Sequence, residues 1–451
     1  MPDHSSAMRC LLVIVVLPFW LSSQELERDQ TARILARLDT LEQQNRDLMA
    51  EIRALRQQIA GGTQSPEPQA EPQAPASERI AVAEQQIKDL AQSKVESEHR
   101  DPLQLTGMAL FNAYANGRAS ADREYPTTAA LTRGPRADGA TLRQTILGVK
   151  FQAPEKIAGF DVSGSAYVDF FGGTGTSLNQ LVRLRIASIN FNWKDTTFTV
   201  AQDKPIIAPR EPESLAQVGV SPLTGAGNLW LWQPQARIEQ RFHFGETAGL
   251  RAEAGVYETS ERNNAPSEYQ PATSLGRPSL EGRFVFWADG NGSQFEIAPG
   301  FHISDSRVGG YVIPSRIATL DWRLPLTRRL ELTGTYFRGE NTGVVGGLGS
   351  GIAERADGSL HVIRTQGGWA QLKIAATSRL TLDLYGGEED HVNRDLVSGL
   401  IERNQAYAAN AIYRVTANLL TSFEWSYLQT AYMGSGNRFN QHYDLAFAYL
   451  F

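Results

Sequence analysis

The sequence predicts an all-β transmembrane barrel of about 16 antiparallel strands, preceded by an N-terminal α-helical coiled coil. Three observations predict it. The first is the final stretch, NQHYDLAFAYLF (440–451), in which Tyr443, Leu445, Phe447, Tyr449 and Phe451 alternate with His442, Asp444, Ala446, Ala448 and Leu450. Period two makes a strand with one oily face, because successive side chains point to opposite sides. An aromatic-rich outer face suits a membrane barrel, whose aromatics ring the lipid–water interfaces. The second is the lengths of the connections. Those at 154–159, 193–195, 245–248, 289–292, 325–327, 377–378 and 416–417 are short. Those at 117–140, 172–181, 203–233, 259–278, 339–362, 389–403 and 432–439 are long, and only one near 305–308 is brief. Short turns at one end and long loops at the other, with an even strand number, are the barrel pattern; a soluble sandwich has no reason to alternate this way. The third is hydropathy. The mean is −0.31, and beyond the N-terminus no segment approaches the ~18 unbroken apolar residues of a helical span.

The elements follow in chain order. Arg9, the apolar run Leu11–Leu21 (LLVIVVLPFWL) and small Ser22 and Ser23 read as a secretory signal peptide over 1–24, with Met8 as a candidate start. Cys10, the single cysteine, precedes the apolar run, so a lipoprotein anchor is not expected. Removal of the leader leaves no thiol, which excludes a disulfide framework and a thiolate metal site and suits an oxidising periplasm.

Residues 25–60 are predicted to form a coiled coil. Ile34, Leu38, Leu41, Asn45, Leu48, Ile52, Leu55 and Ile59 are spaced alternately by four and three, an a/d seam over four heptads. Ile at a with Leu at d favours a dimer, whereas Leu38 at a and Ile34 at d favour more strands; Asn45 in the seam fixes register at a cost in stability. Residues 61–77, GGTQSPEPQAEPQAPAS, form an extended Pro-rich linker. Residues 78–100 form a short helical segment, with Ile80, Ala83, Ile87 and Leu90 at heptad spacing.

Residues 101–451 hold sixteen strand segments, from 103–116 and 141–152 to 440–451, most of 10 to 14 residues, near the length that crosses a bilayer at a tilt. A barrel of that size is too wide for side chains to fill. No plug domain is visible in the sequence, so an open pore, a porin, follows. The external loop 203–233 is the longest and the candidate constriction. Asp203, Lys204, Arg210, Glu211 and Glu213 place both signs of charge in it, arranged either to orient a charged solute or to brace the loop against the wall. Its apolar tail, Leu229, Trp230, Leu231 and Trp232, is expected at the interface belt or a subunit contact.

Arginine dominates the wall: from Asp101 on, 27 of 32 basic residues are Arg. Arg183 and Arg185 share one strand face. Arg237 and Arg241 share another with Gln235 and Glu239, and Arg143 and Arg283 are placed nearby. At the lipid midplane each arginine would cost roughly 2–4 kcal/mol, so these are expected to face the lumen or a protein interface. Guanidinium pairs bidentately with carboxylate or phosphate, which favours anionic solutes; the same arginines could instead pair with Asp169, Glu239 or Glu281 and stiffen the lumen.

Signal, coiled coil, Pro-rich linker and sixteen-stranded barrel together resemble the DcaP-like family of trimeric outer-membrane porins. The core of the likeness is VRLRIASINFNWKDTTFTVAQDKPIIAPREPESLAQVGVSPLTGAGNLWLWQPQARIEQRF, Val182–Phe242. It contains an Arg-bearing strand, a strand ending in Ala201-Gln202, a proline-containing loop and a Gln/Arg strand. The resemblance implies a homotrimer with a periplasmic coiled coil and uptake of small anions such as dicarboxylates; this chain departs from the family in its loop sequence.

Expected partners are outer-membrane lipid, the barrel-assembly machinery through the C-terminal strand, and the cell wall through the coiled coil. The net charge of −6 says little about partners; nucleic acid is not expected, since no basic run or basic helix occurs. No catalytic, metal-binding or cofactor-binding residues are expected. His243, His302, His361, His391 and His442 are scattered, with no adjacent Ser or Asp pattern, which disfavours a barrel enzyme. The glycine-rich segment Gly343–Gly351 lacks the Gly-Lys-Ser/Thr ending of a phosphate loop. A structural tether to the cell wall is the other alternative.

Overall fold

In the computed structural model, residues 103–173, 180–258, 278–290, 293–308 and 310–451 are described. The signal peptide, coiled-coil seam, linker and short helical segment lie outside the described residues. The strands are β1 (Leu103–Asn116), β2 (Asp138–Thr141), β3 (Ile146–Gln152), β4 (Asp161–Gly172), β5 (Leu181–Trp193), β6 (Thr196–Asp203), β7 (Gln233–His243), β8 (Ala248–Tyr257), β9 (Ser279–Gly290) and β10 (Ser293–Val308). They continue with β11 (Tyr311–Pro325), β12 (Leu330–Glu340), β13 (Ile352–Glu354), β14 (Leu360–Val362), β15 (Arg364–Ala375), β16 (Leu380–His391), β17 (Ile401–Arg414), β18 (Leu419–Tyr432) and β19 (Gly436–Leu450).

β2 and β3 both pair with β1 and together form one stave, and β13–β14 is a separate hairpin in the β12–β15 loop; the result is a closed antiparallel barrel of sixteen strands. Closure is made by β1 and β19, in register from Met108↔Leu450 to Asn116↔His442. The last strand thus pairs with the first, and no edge is left.

Burial is inverted relative to a soluble protein. Along β19, Tyr443, Phe447 and Tyr449 are 42%, 47% and 52% exposed, while His442, Asp444, Ala446 and Ala448 are buried. The same alternation runs round the ring: Phe284, Phe286, Leu384, Tyr407 and Phe423 point outward, and Glu281, Arg283, Asp383, Asn404 and Glu424 are buried within. An apolar outer girdle and a polar interior match a bilayer as surrounding solvent.

Three of the short turns share one chemistry. Thr327, Thr377 and Thr416 each accept, through Oγ1, the backbone N–H groups two and three residues on, at 2.9–3.4 Å. The segments LTRRL, ATSRL and VTANL thus carry their own hairpin signal.

At the chain end, Gly107 and Phe451 exchange both backbone hydrogen bonds, at 2.9 and 3.2 Å, and a Cβ on Gly107 would stand 2.7 Å from the Phe451 ring. Gly107 thus makes room for the terminal aromatic. Deleting Phe451 removes one rung of the closing ladder and is expected to cut the yield of folded barrel more than it changes the barrel that does form. Wild-type amounts of heat-modifiable protein in outer-membrane fractions would refute this.

Candidate functional site

The β6–β7 loop, residues 204–232, folds into the barrel. Buried backbone polar groups must find partners, and here inward-facing side chains from many staves supply them. Ile206 N donates to Glu281 of β9 at 2.7 Å. Glu213 N donates to Gln371 of β15, and Asn410 of β17 donates to Glu213 O, both at 2.8 Å. Ser214 Oγ donates to Glu424 of β18 at 2.6 Å, and Asn112 of β1 donates to Leu215 O at 2.8 Å. The far end of the loop presses on the wall. Gly227 has φ +96°, and a Cβ there would stand 2.2 Å from the Gly368 carbonyl oxygen, so only glycine fits both the backbone conformation and the space.

Gln144 does the most in least space. It lies in the break between β2 and β3, is fully buried, and donates to Ala216 O at 2.8 Å while its Oε1 accepts from Val218 N and Gly219 N at 2.8 and 2.6 Å. The predicted continuous strand 141–152 is therefore interrupted at 142–145, because the backbone leaves the ladder to aim Arg143 and Gln144 at the loops.

All five charged residues named at the start of the loop are paired. Asp203 meets Arg237 at 3.1 Å, Lys204 meets Glu211 at 2.8 Å, and Glu213 meets Lys373 at 2.6 Å. Arg210 reaches across to Glu296 of β10 and Asp321 of β11. Burial pushes the Glu211 carboxyl up, but the Lys204 ammonium and the hydrogen bonds from Lys204 and Ser221 outweigh it and hold the group below its ordinary 4.5. A carboxylate with a lowered folded-state value stabilises above its unfolded value, and the contribution fades as pH falls through the folded one. The loop's Lys204–Glu211 clasp is thus expected to be intact at neutral pH and to be lost only below about pH 4.5. Melting curves of wild type and Lys204→Met should differ at pH 7 and converge in acid; an equal gap at both pH values would contradict the assignment.

Beneath loop residues 206–213 lies a cavity of about 630 Å³ that runs to the short turn Pro325–Arg329 and is lined by eight basic and six acidic side chains. Arg283 of β9, almost fully buried, donates Nε and Nη2 to Asp321, both at 2.7 Å, and Nη1 to Glu253 at 3.2 Å. Arg251 of β8 pairs with Glu253 at 2.7 Å, and Arg323 of β11 with Glu331 at 2.9 Å. Arg328 and Arg329, in the turn, make no ion pair among the described residues. The ladder is held by carboxylates in its upper part and left open at its mouth.

The named wall residues divide into two groups. Arg237 and Arg283 line the cavity, together with Arg210, Glu211 and Glu213. Arg143, Arg183 and Arg185 do not. Arg143 pairs with Glu124 at 3.0 Å and stacks 4.4 Å over Phe171. Arg183 and Arg185 share Asp169, at 2.6 and 2.8 Å, and donate to Gly219 O and Val218 O, each at 2.7 Å. They clamp loops to the wall. Arg241 pairs with Glu239 at 2.9 Å and is more than half exposed, outside the cavity lining. The apolar tail is not in an outer belt: Leu229 is buried with Val344 and Val345, Leu231 N donates to Val345 O at 3.3 Å, and Trp232 lies 4.5 Å under Arg185. The tail is apolar because it packs inside, beneath the β12–β15 loop.

Sequence reading missed Arg251, Glu253, Glu296, Asp321 and Lys373. Arg251 and Glu253 do carry a signal, since they alternate with Ala252 and Ala254; the others meet only through barrel closure. It also missed a relay-like trio. His302 lies 2.9 Å from Glu281 and 3.0 Å from Ser304 Oγ. His302 and Glu281 have no exposed surface, Glu281 also accepts from Ile206 N at 2.7 Å, and Tyr257 packs 5.8 Å from the imidazole. Without solvent access the trio anchors the loop and is not laid out for hydrolysis.

The fold is that of a porin-type barrel. No protein-family model matches the chain, and no curated protein sequence matches it. Among solved structures it is similar to the outer membrane channel DcaP of Acinetobacter baumannii, with a TM-score of 0.63 and 15% identity, covering 77% of this chain and 97% of that one. It is also similar to OprB of Pseudomonas putida, with a TM-score of 0.50, 10% identity and 80% and 96% coverage. At these identities the likeness is one of fold.

Proposed function

We propose that the chain is an outer-membrane porin, a passive diffusion channel for small hydrophilic anions, dicarboxylates among them. The observation that carries this reading is the arginine-lined cavity under an inward-folded loop, in a barrel whose outer face is apolar. Guanidinium groups set in a low-dielectric wall attract carboxylates bidentately. The carboxylates that pair with them fix their positions, so a passing anion meets a preset ladder. That DcaP is an outer membrane channel supports the channel reading. The proposal includes a homotrimer, an N-terminal coiled coil (25–60) in the periplasm after removal of residues 1–24, and insertion by the assembly machinery through the C-terminal strand.

The test is planar-bilayer recording of the purified protein in a potassium chloride gradient, followed by succinate added to one side. An anion-signed reversal potential and succinate-dependent current noise are expected. A cation-signed potential would overturn the anion preference, and absence of conductance would overturn the channel.

A further inference from the structure

A second arginine cluster lies on the outside of the barrel, at its loop end. Arg316 of β11, Glu340 of β12 and Arg364 of β15 stand in one register row, and Arg338, Gln366 and Asp390 stand in the next. One row further from the loops, Leu320 and Tyr336 face outward and are 41% and 47% exposed. Successive rows on one face are only about 7 Å apart along the strand. The arginines therefore begin where the apolar girdle ends. With Arg394 from the β16–β17 loop they line a groove of about 460 Å³.

Their partners leave capacity. Arg364 is held bidentately by Asp395, at 2.7 and 2.5 Å, and Arg316 touches Glu340 at 3.4 Å. Arg338 and Arg394 are exposed and make no ion pair among the described residues. Four guanidinium groups stand against Glu340 and Asp390 in the groove and Asp395 behind Arg364, a net excess of one fixed positive charge at headgroup depth, carried by the unpaired Arg338 and Arg394. We infer that this groove binds the phosphate of a phosphorylated glycolipid in the outer leaflet, its acyl chains lying against Leu320 and Tyr336. Guanidinium forks match phosphate oxygens in pairs, and the neighbouring girdle supplies the apolar contact that a free phosphate would lack. The inference rests on the outer-membrane orientation proposed above, with the long loops external.

The test uses the purified full chain in detergent, titrated with diphosphoryl lipid A and followed by native mass spectrometry. Arg338→Ala/Arg394→Ala is expected to weaken lipid A binding at least roughly tenfold, through loss of charge-assisted hydrogen bonds. Arg338→Lys should fall between, keeping the charge and losing the fork. Dephosphorylated lipid A should bind wild type no better than lipid A binds the double variant, and millimolar inorganic phosphate should not displace lipid A. Equal lipid A binding by wild type and double variant, or equal binding of the two lipids, would overturn the site. So would disulfide cross-linking of Arg338→Cys to a second copy, which would make this face a subunit contact. Conductance is recorded in parallel. Unchanged conductance with lost lipid binding supports a separate lipid site, whereas a silent wild-type protein that still binds lipid A through these arginines rejects only the channel.

Discussion

Arg210→Glu is expected to swing the channel's selectivity toward cations. Arg210 is the charged residue of the inward loop that meets the wall beside the cavity, held by Glu296 and Asp321. The substitution changes the local charge by two units and sets three carboxylates side by side, with Arg283 and Arg251 left as the nearest compensating groups. A unit charge ~6 Å from a passing ion is worth roughly 0.7–3 kcal/mol at dielectric values between bulk water and a protein surface. The anion-to-cation permeability ratio should therefore fall severalfold or more, and the reversal potential in a salt gradient should approach or cross zero. Arg210→Lys keeps the charge but not the fork, and should retain selectivity while loosening the loop. If Arg210→Glu leaves the reversal potential unchanged, ions pass elsewhere and the cavity is not the conducting path.

How much of this was legible in the sequence depended on whether a residue's role is local. The sixteen staves were legible because alternation and turn chemistry act within a few residues: Tyr443, Leu445 and Phe447 face out for the same reason that Leu384 and Phe423 do. The break at 142–145 was not legible, because nothing in TLRQTI distinguishes a strand residue from one that leaves the ladder; Gln144 leaves it to satisfy amides that arrive from residues 216–219. The hairpin β13–β14 was read as plain loop, its strands being only three residues each. At the site, composition pointed to arginine but could not choose among arginines. Arg183 and Arg251 look alike in sequence, each inward on a strand. What separates them is that Arg183 has Asp169 opposite it on β4, whereas Arg251 meets Glu253 and Glu296 beside the cavity. Partner choice is set by barrel closure and by where the loop lands, and neither is encoded in spacing.

Loop placement itself should hinge on Glu424, and Glu424→Ala is expected to release it. This buried carboxylate accepts from Ser214 Oγ at 2.6 Å, from Tyr385 OH at 2.7 Å and from Asn410 Nδ2 at 3.2 Å. It ties the loop tip to three adjacent staves at once. Removing it leaves the Ser214 and Tyr385 hydroxyls without their acceptor in a site with little access to water, each costing roughly 1–3 kcal/mol when buried without a partner, while Asn410 keeps its bond to Glu213 O. The loop can recover those bonds only by leaving the wall and hydrating, so the loss of stability and the loss of constriction should appear together. A drop in melting temperature with a larger, noisier conductance is the expected result. Ser422→Ala is the matched control: it lies on the same inward face of β18, is buried, and its hydroxyl has no hydrogen-bond partner among the described residues, so it should change neither quantity. Glu424→Gln offers one acceptor oxygen for three donors and is expected to fall between. A Glu424→Ala protein with wild-type melting and conductance would mean that Gln144, Asn112 and Gln371 hold the loop without it, and that the constriction is fixed by the flanking staves.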